Sequence, residues 1–447
     1  MKLKAVLSAT ILGAFILTSA SGCSLTDFSS ESLLRPPKTT GDEAEIEQLI
    51  SDCAENGYTL KYPKSGNYRS AIIMSDLDGD QTDEAIAFFR EKDDVTRIHM
   101  LVMYNDNNEW KLSSDYITET TDIDCVDFSD VNGSGSLEIL IGYATYTPNI
   151  NFMSCYTYDN GTTAEIKSGQ NYSSFYCGDF NSDSKNEIMM LSLFTTEAEA
   201  KATMLDYNKD NNSLYAKATV VMDPNVVKYK TIALSDLGEN TTGVVVDGLS
   251  ANNELCTQIV YFNKELSLLR NPLYKEKTRN ITQRSCTIIS SDIDEDNIVE
   301  IPTVSKLPSS KAEQQDTIAD RLVWNNFSIQ NEAFSAKANL IANYNQGYTL
   351  KMPDKWLNNT VTAVINSEEN TMTVYEWNKN KLGDKLFEIK VFNTTDWDSG
   401  KDNDEYTLIY KDNINAYTFI NSNTKSQYSL TDDEIKTAFS ILNQGAV

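Results

Sequence analysis

The chain has 447 residues, more than one ordinary core accommodates, so two or three domains, or one large repeat unit with a satellite, are expected. Hydrophobic residues make up 40% and charged residues 23%, which excludes a disordered polyelectrolyte and allows packed cores. A formal net charge of −27 with no basic cluster excludes a nucleic-acid partner; the acidity serves either solubility or the gathering of cations.

Lys2 and Lys4 precede an apolar run from Ala5 to Leu17. That run is short of the ~20 residues that span a bilayer as a helix. Residues 1–22 therefore read as a secretory signal peptide. The run closes on Ala20-Ser21-Gly22-Cys23, which resembles the cleavage box of bacterial lipoproteins, with Ala20 where that family more often has Leu. The resemblance implies that Cys23 is lipidated and becomes the first mature residue. The chain would then be anchored in the cell membrane, on its extracytoplasmic face. Two acyl chains suffice for a stable tether, since each buried CH₂ contributes ~0.8 kcal/mol. Residues 23–41, rich in Ser, Thr and Pro, read as the lipidated Cys23 and a flexible tether.

Residues 42–63 form a lead-in. Ile46, Leu49, Ile50 and Cys53 lie at helical spacing behind an acidic start, predicting a short amphipathic helix over 42–56. Beyond it, Tyr, Val, Ile and Thr recur and Pro is scarce, which predicts mainly β structure. The first unit has strands at 68–74, 84–89, 97–104 and 110–117, with Asn105-Asp106-Asn107-Asn108 as a turn.

Between the first two strands lies Asp76-Leu77-Asp78-Gly79-Asp80-Gln81-Thr82-Asp83-Glu84. Related loops begin at Asp130, Asp179, Asp236 and Asp292, at intervals of 54, 49, 57 and 56 residues. Such a period suits four-stranded blades. Oxygen donors stand at loop positions 1, 3, 5 and 9. They are Asp76, Asp78, Asp80 and Glu84 in the first loop, and Asp130, Asn132, Ser134 and Glu138 in the second. The third has Asp179, Asn181, Asp183 and Glu187; the fifth has Asp292, Asp294, Asp296 and Glu300. Ca²⁺ takes about 6–8 oxygens at about 2.3–2.6 Å, and alternate residues of a tight loop can supply them. Position 7 (Thr82, Ser136, Lys185, Ile298) can add a backbone carbonyl. The second loop is expected to bind weakly. The fourth, with Gly238 and Val244 at positions 3 and 9, is expected to bind no metal. An EF-hand would need Glu at position 12, where the first loop has Ala87.

These loops resemble the FG-GAP or VCBS-type repeats of integrin-like propellers over residues 64–343. The resemblance implies a β-propeller of at least five four-stranded blades, holding Ca²⁺ in three or four loops. Residues 344–447 read as a small α+β domain, with strands at 360–365, 372–377, 386–392, 406–410 and 416–420. A final helix is capped by Thr431 and Glu434, with Ile435, Ala438, Phe439 and Leu442 as its apolar face. The opening Gly347-Tyr348-Thr349-Leu350-Lys351-Met352-Pro353 resembles the start of PsbP-like domains, and Gly57-Tyr58-Thr59-Leu60-Lys61-Tyr62-Pro63 nearly repeats it.

Six cysteines remain after Cys23: Cys53, Cys125, Cys155, Cys177, Cys256 and Cys286. An even count in an exported chain permits disulfides, but several lie in apolar strand-like runs, which favours buried free thiols. His99 is the single histidine, inside an apolar strand, so a multi-histidine zinc site is excluded and a Ser-His-Asp triad disfavoured. Three functions stay open: a binding protein for a protein or glycan ligand, a scaffold of an envelope complex, and a polysaccharide-acting enzyme with paired carboxylates. Trp377 and Trp397 are candidate ligand platforms for the first.

Overall fold

A computed structural model describes residues 41–310, 317–400, 404–422 and 425–442. The signal peptide, Cys23 and the tether lie outside the described residues.

The chain is mainly β, in six antiparallel sheets of four or five strands, laid down in chain order. In the first, Tyr58–Leu60 and Ile72–Ser75 share one edge of Glu84–Glu91, followed by Arg97–Asn105 and Trp110–Glu119. The second runs Ile123–Ser129, Glu138–Ala144 and Asn151–Asp159, with Thr162–Ile166 and Asn171–Tyr172 both on the last. The third is Ser174–Gly178, Glu187–Ser192, Lys201–Asn208 and Ser213–Val221. The fourth is Val226–Asp236, Thr242–Ser250, Leu255–Asn263 and Leu268–Arg270.

Strand character follows each strand's position. The second strands, such as Glu84–Glu91 and Glu187–Ser192, are buried on both faces over most of their length and read as continuous apolar runs. Outer strands such as Trp110–Glu119 are partly exposed and alternate. Successive sheets pack face to face. Ile86, Phe88 and Met100 of the first meet Ile139, Ile141 and Tyr143 of the second. Leu140 and Cys155 meet Ile188 and Leu205 of the third. Met189 and Met204 meet Val244 and Val260 of the fourth. Val245 and Ile259 meet Ile301 and Phe327 of the fifth. The predicted succession of propeller-type blades is therefore the architecture.

The ends are capped differently. The other face of the first sheet (Ala87, Phe89, Leu101) is covered by Ile46 and Ile50 of the helix Asp42–Cys53. Among the described residues, no core cluster contains both first- and sixth-sheet residues.

The fifth sheet is assembled from distant pieces: Ile301–Lys306, Asp320–Ser328, Ala333–Asn343, Tyr348–Lys351 and Phe439–Ile441. Its leading strand is reduced to the bridge Ser291↔Glu300, because the chain before it is drawn to the fourth sheet by the bridge Leu255↔Arg284. Residue 344 thus falls in the turn between two strands of this sheet. The later segment supplies two of its strands and a sixth sheet, Val361–Asn366, Thr371–Trp377, Leu382–Asn393, Asn415–Asn421 and Thr407–Lys411. The Thr431–Glu434 capping box is present, but its helix stops at Ala438. Phe439 leaves helical register because the free edge of Tyr348–Lys351 offers it a ladder, and its ring stacks on Tyr348.

Candidate functional site: the acidic loops and the inner cleft

The first, second, third and fifth loops share one backbone. Positions 4 and 6 are left-handed in all four: Gly79 and Gln81, Gly133 and Gly135, Ser182 and Ser184, Glu295 and Asn297. Non-glycine residues rarely adopt this conformation without compensation. Here compensation comes from the position-1 aspartate. Asp76 accepts from the Gly79 and Gln81 N–H groups at 2.7 and 3.0 Å, and Asp292 accepts from Asp296 and Asn297 at 3.2 and 2.8 Å. The position-9 glutamate is buried in every case, with Glu84 at 3% exposure, Glu138 at 1%, and Glu187 and Glu300 at 0%. Each accepts the N–H of position 2: Leu77, Val131, Phe180 and Ile293, at 2.8, 2.9, 3.0 and 2.9 Å. Burial pushes the Glu84, Glu138 and Glu187 carboxyls up to about 7.

The loops differ in what faces these glutamates. In the first, carboxylate oxygens of Asp76, Asp78 and Glu84 lie within 4.8 Å of one another, a donor set that could hold a metal ion. Asp80 accepts from the Thr82 N–H at the loop's outer side. In the second and third, the amides of Asn132 and Asn181 donate to Glu138 and Glu187. Ser134 and Asp183 are turned to backbone N–H groups of Ser136 and Lys185. Among the described residues, neither loop gathers three acidic ligands. In the fifth, Asp292, Asp294 and Glu300 converge within the same 4.8 Å. The Lys337 ammonium lies among Asp294, Asp296 and Glu300 at 2.6, 2.8 and 2.8 Å. The fourth loop is a tight turn in which Asp236 accepts from Gly238, and Val244 is buried core.

Neighbouring loops are bonded together. Leu137 N–H donates to the Leu77 carbonyl, Asn186 to Asp130, and Asp236 to Asn297, at 2.7, 3.2 and 3.1 Å. The leading strands of the second, third and fourth loops, with the irregular stretch around Asn67 that precedes the first, line a cleft of about 630 Å³. Its lining includes Asn67, Asp124, Asp127, Tyr172, Tyr176 and Lys230. Asp124 is held by the Tyr172 hydroxyl at 2.8 Å and the Asn151 amide at 3.0 Å. Burial raises the Asp127 carboxyl. No sequence signal marked this cleft, because its residues come from four blades and share no spacing.

The remaining candidates fall elsewhere. All six described cysteines are free thiols. Burial pushes Cys125 up to about 12 and holds Cys177 well above the usual thiol range, so neither is a ready nucleophile. His99 stacks on Phe89 at 4.5 Å and pairs with Asp115 at 3.0 Å inside the first sheet. Trp377 and Trp397 are half-buried in and beside the sixth sheet, away from the cleft.

No family model matches the chain, and no curated protein matches it. Among solved structures it is similar to a protein from Lactobacillus plantarum, at 10% identity and a TM-score of 0.31, over 72% of this chain and 85% of that one. It is also similar to Sqt1 of Saccharomyces cerevisiae, at 9% identity and a TM-score of 0.32, over 73% and 86%. A third is a 6-phosphogluconolactonase candidate from Bacteroides uniformis, at 11% and 0.28, over 73% and 94%. The fold assignment rests on the six sheets themselves.

Proposed function

We propose that this protein is a lipid-anchored extracytoplasmic binding protein whose cleft among the second to fourth leading strands receives a glycan segment, with a divalent cation such as Ca²⁺ supporting the first acidic loop. The observation that carries the reading is the cleft. It is concave, and it sets carboxylates (Asp124, Asp127), an amide (Asn67) and an ammonium (Lys230) beside the half-buried Tyr176, with the buried Tyr172 holding Asp124 from behind. Such a lining offers donors and acceptors to hydroxyl groups and a ring face to sugar C–H surfaces. The anchor is supported by the Ala20-Ser21-Gly22-Cys23 box and its preceding apolar run. The cation is supported by the convergent carboxylates of Asp76, Asp78 and Glu84 in the first loop.

The test is co-sedimentation with insoluble cell-wall glycan, together with a glycan array, for the full chain and for Asp127→Ala and Tyr176→Ala. Binding by the full chain that falls at least tenfold in both variants, with melting unchanged, is expected. Binding that persists in both variants removes the cleft from the reading. Release of soluble sugar would move the reading to a carboxylate enzyme. Cys23→Ser is expected to shift the protein from the membrane to the soluble fraction.

A further inference from the structure

The first, second, third and fifth loops each bury a glutamate at position 9, and each buried carboxylate needs a partner. The second and third loops supply an asparagine amide from their own position 3. The fifth cannot, because Asp294 stands there.

What meets Glu300 instead comes from another strand. Lys337 belongs to Ala333–Asn343, and the pairing with Asp320–Ser328 shifts register around it: Trp324 faces Ala338, while Asn325 faces Ala336. Lys337 is therefore the extra residue of a β-bulge, a device that re-aims a side chain. The same bulge recurs in the equivalent outer strands. In the first sheet Val102 faces Ser114 and Met103 faces Leu112, leaving Ser113 extra. In the third, Met204 faces Ala218 and Leu205 faces Ala216, leaving Lys217 extra. Lys217 pairs with Asp206 at 2.7 Å, not with its loop. Ser113 carries no charge and donates to the Gly161 carbonyl at 2.8 Å.

We propose that Lys337 is the resident cation of the fifth loop, filling the place a metal ion would take, so that among the acidic loops only the first calls for an exogenous cation. An ammonium has three N–H donors. Those of Lys337 meet Asp294 Oδ1, Asp296 Oδ2 and Glu300 Oε1, at loop positions 3, 5 and 9. Three of the four side chains assigned to metal by sequence are thus engaged by one tethered charge. Asp292, at position 1, is committed to the loop's own N–H groups. The first loop has the same backbone and a similar carboxylate set, but its bulge residue is a serine, and the Tyr158 hydroxyl that meets Glu84 brings no positive charge.

The inference rests in part on the cation-loop reading, and the test separates the two. Calcium bound per chain is counted by equilibrium dialysis on the full chain in detergent, for wild type and Lys337→Met. The expected result is one ion in the wild type and one more in the variant, whose melting temperature drops in chelator and recovers with calcium. A wild type that binds none while the variant binds one leaves Lys337 in its role and removes metal from the first loop. An unchanged count in the variant overturns the proposal. If the variant does not fold, competitive acetylation of the native chain decides: Lys337 should react among the slowest lysines. A rate matching that of the exposed Lys277 overturns the proposal.

Discussion

Asp247 and Arg284 are fully buried, and they meet at 2.9 Å. Arg284 also donates to Thr257 Oγ1, Thr282 O and Ile288 O, and Asp247 accepts from Ser290. The pair fastens the irregular stretch before the fifth loop to the fourth sheet. Removing one partner strands a buried charge, at a cost of about 3–5 kcal/mol. Asp247→Ala is expected to lower the urea midpoint accordingly, and Asp247→Leu with Arg284→Met to lower it less than Asp247→Ala alone. A double variant as damaged as the sum of the singles would mean that the two residues act separately. The loop glutamates set a pH dependence of opposite sign to the usual carboxylate case. Folding raises Glu84, Glu138 and Glu187 to about 7 from 4.5. Their stabilising contribution is full below the unfolded value and is lost as pH rises through about 7. In chelator, the urea midpoint should fall between about pH 5 and about pH 8, and calcium should restore part of it at the upper end. A flat profile in chelator would show that these carboxyls are not held protonated by the fold.

At the scale of elements, sequence pattern served well wherever the determinants are local. The helix over 42–53 follows from Ile46 and Ile50 one turn apart, and both are buried against the first sheet. Ile50→Ala should cost about 2–5 kcal/mol by transfer and cavity terms. A loss below about 0.5 kcal/mol would mean that the helix contributes little to that sheet. The loops were legible for a similar reason: donors at alternate positions, with a glutamate opening the next strand, encode their own backbone. Spacing alone marks their position-9 glutamates as ligands. Their burial and their bond to the position-2 N–H recur in four loops, and both follow from the packing of the strand that each glutamate opens. The final helix went wrong at Phe439, where helical periodicity met a free strand edge and the edge prevailed.

For the whole molecule, the proposal that Lys337 occupies the fifth loop implies a metal demand smaller than the repeat count suggests. One occupied loop of extracellular-type affinity gives about 0.4–1.4 kcal/mol at ~1 mM Ca²⁺. In a chain of this length a rise in melting temperature of about 0.5–2 °C over chelator is therefore expected, where four loops would give several times more. Indifference to chelator would reduce the first loop to a polar turn. By itself, the sequence determined the blades, their loops and the capping of the terminal helix, because strand periodicity, alternate oxygen donors and caps act within about ten residues along the chain. Which charge closes each loop, which strand fills each edge and where the cleft lies depend on contacts between segments far apart in the chain. Lys337 is 37 residues from Glu300, Arg284 is 37 from Asp247, and the strand Phe439–Ile441 joins a sheet begun at Ile301. Electrostatic and ladder partners are chosen by proximity in space, and sheet packing sets that proximity.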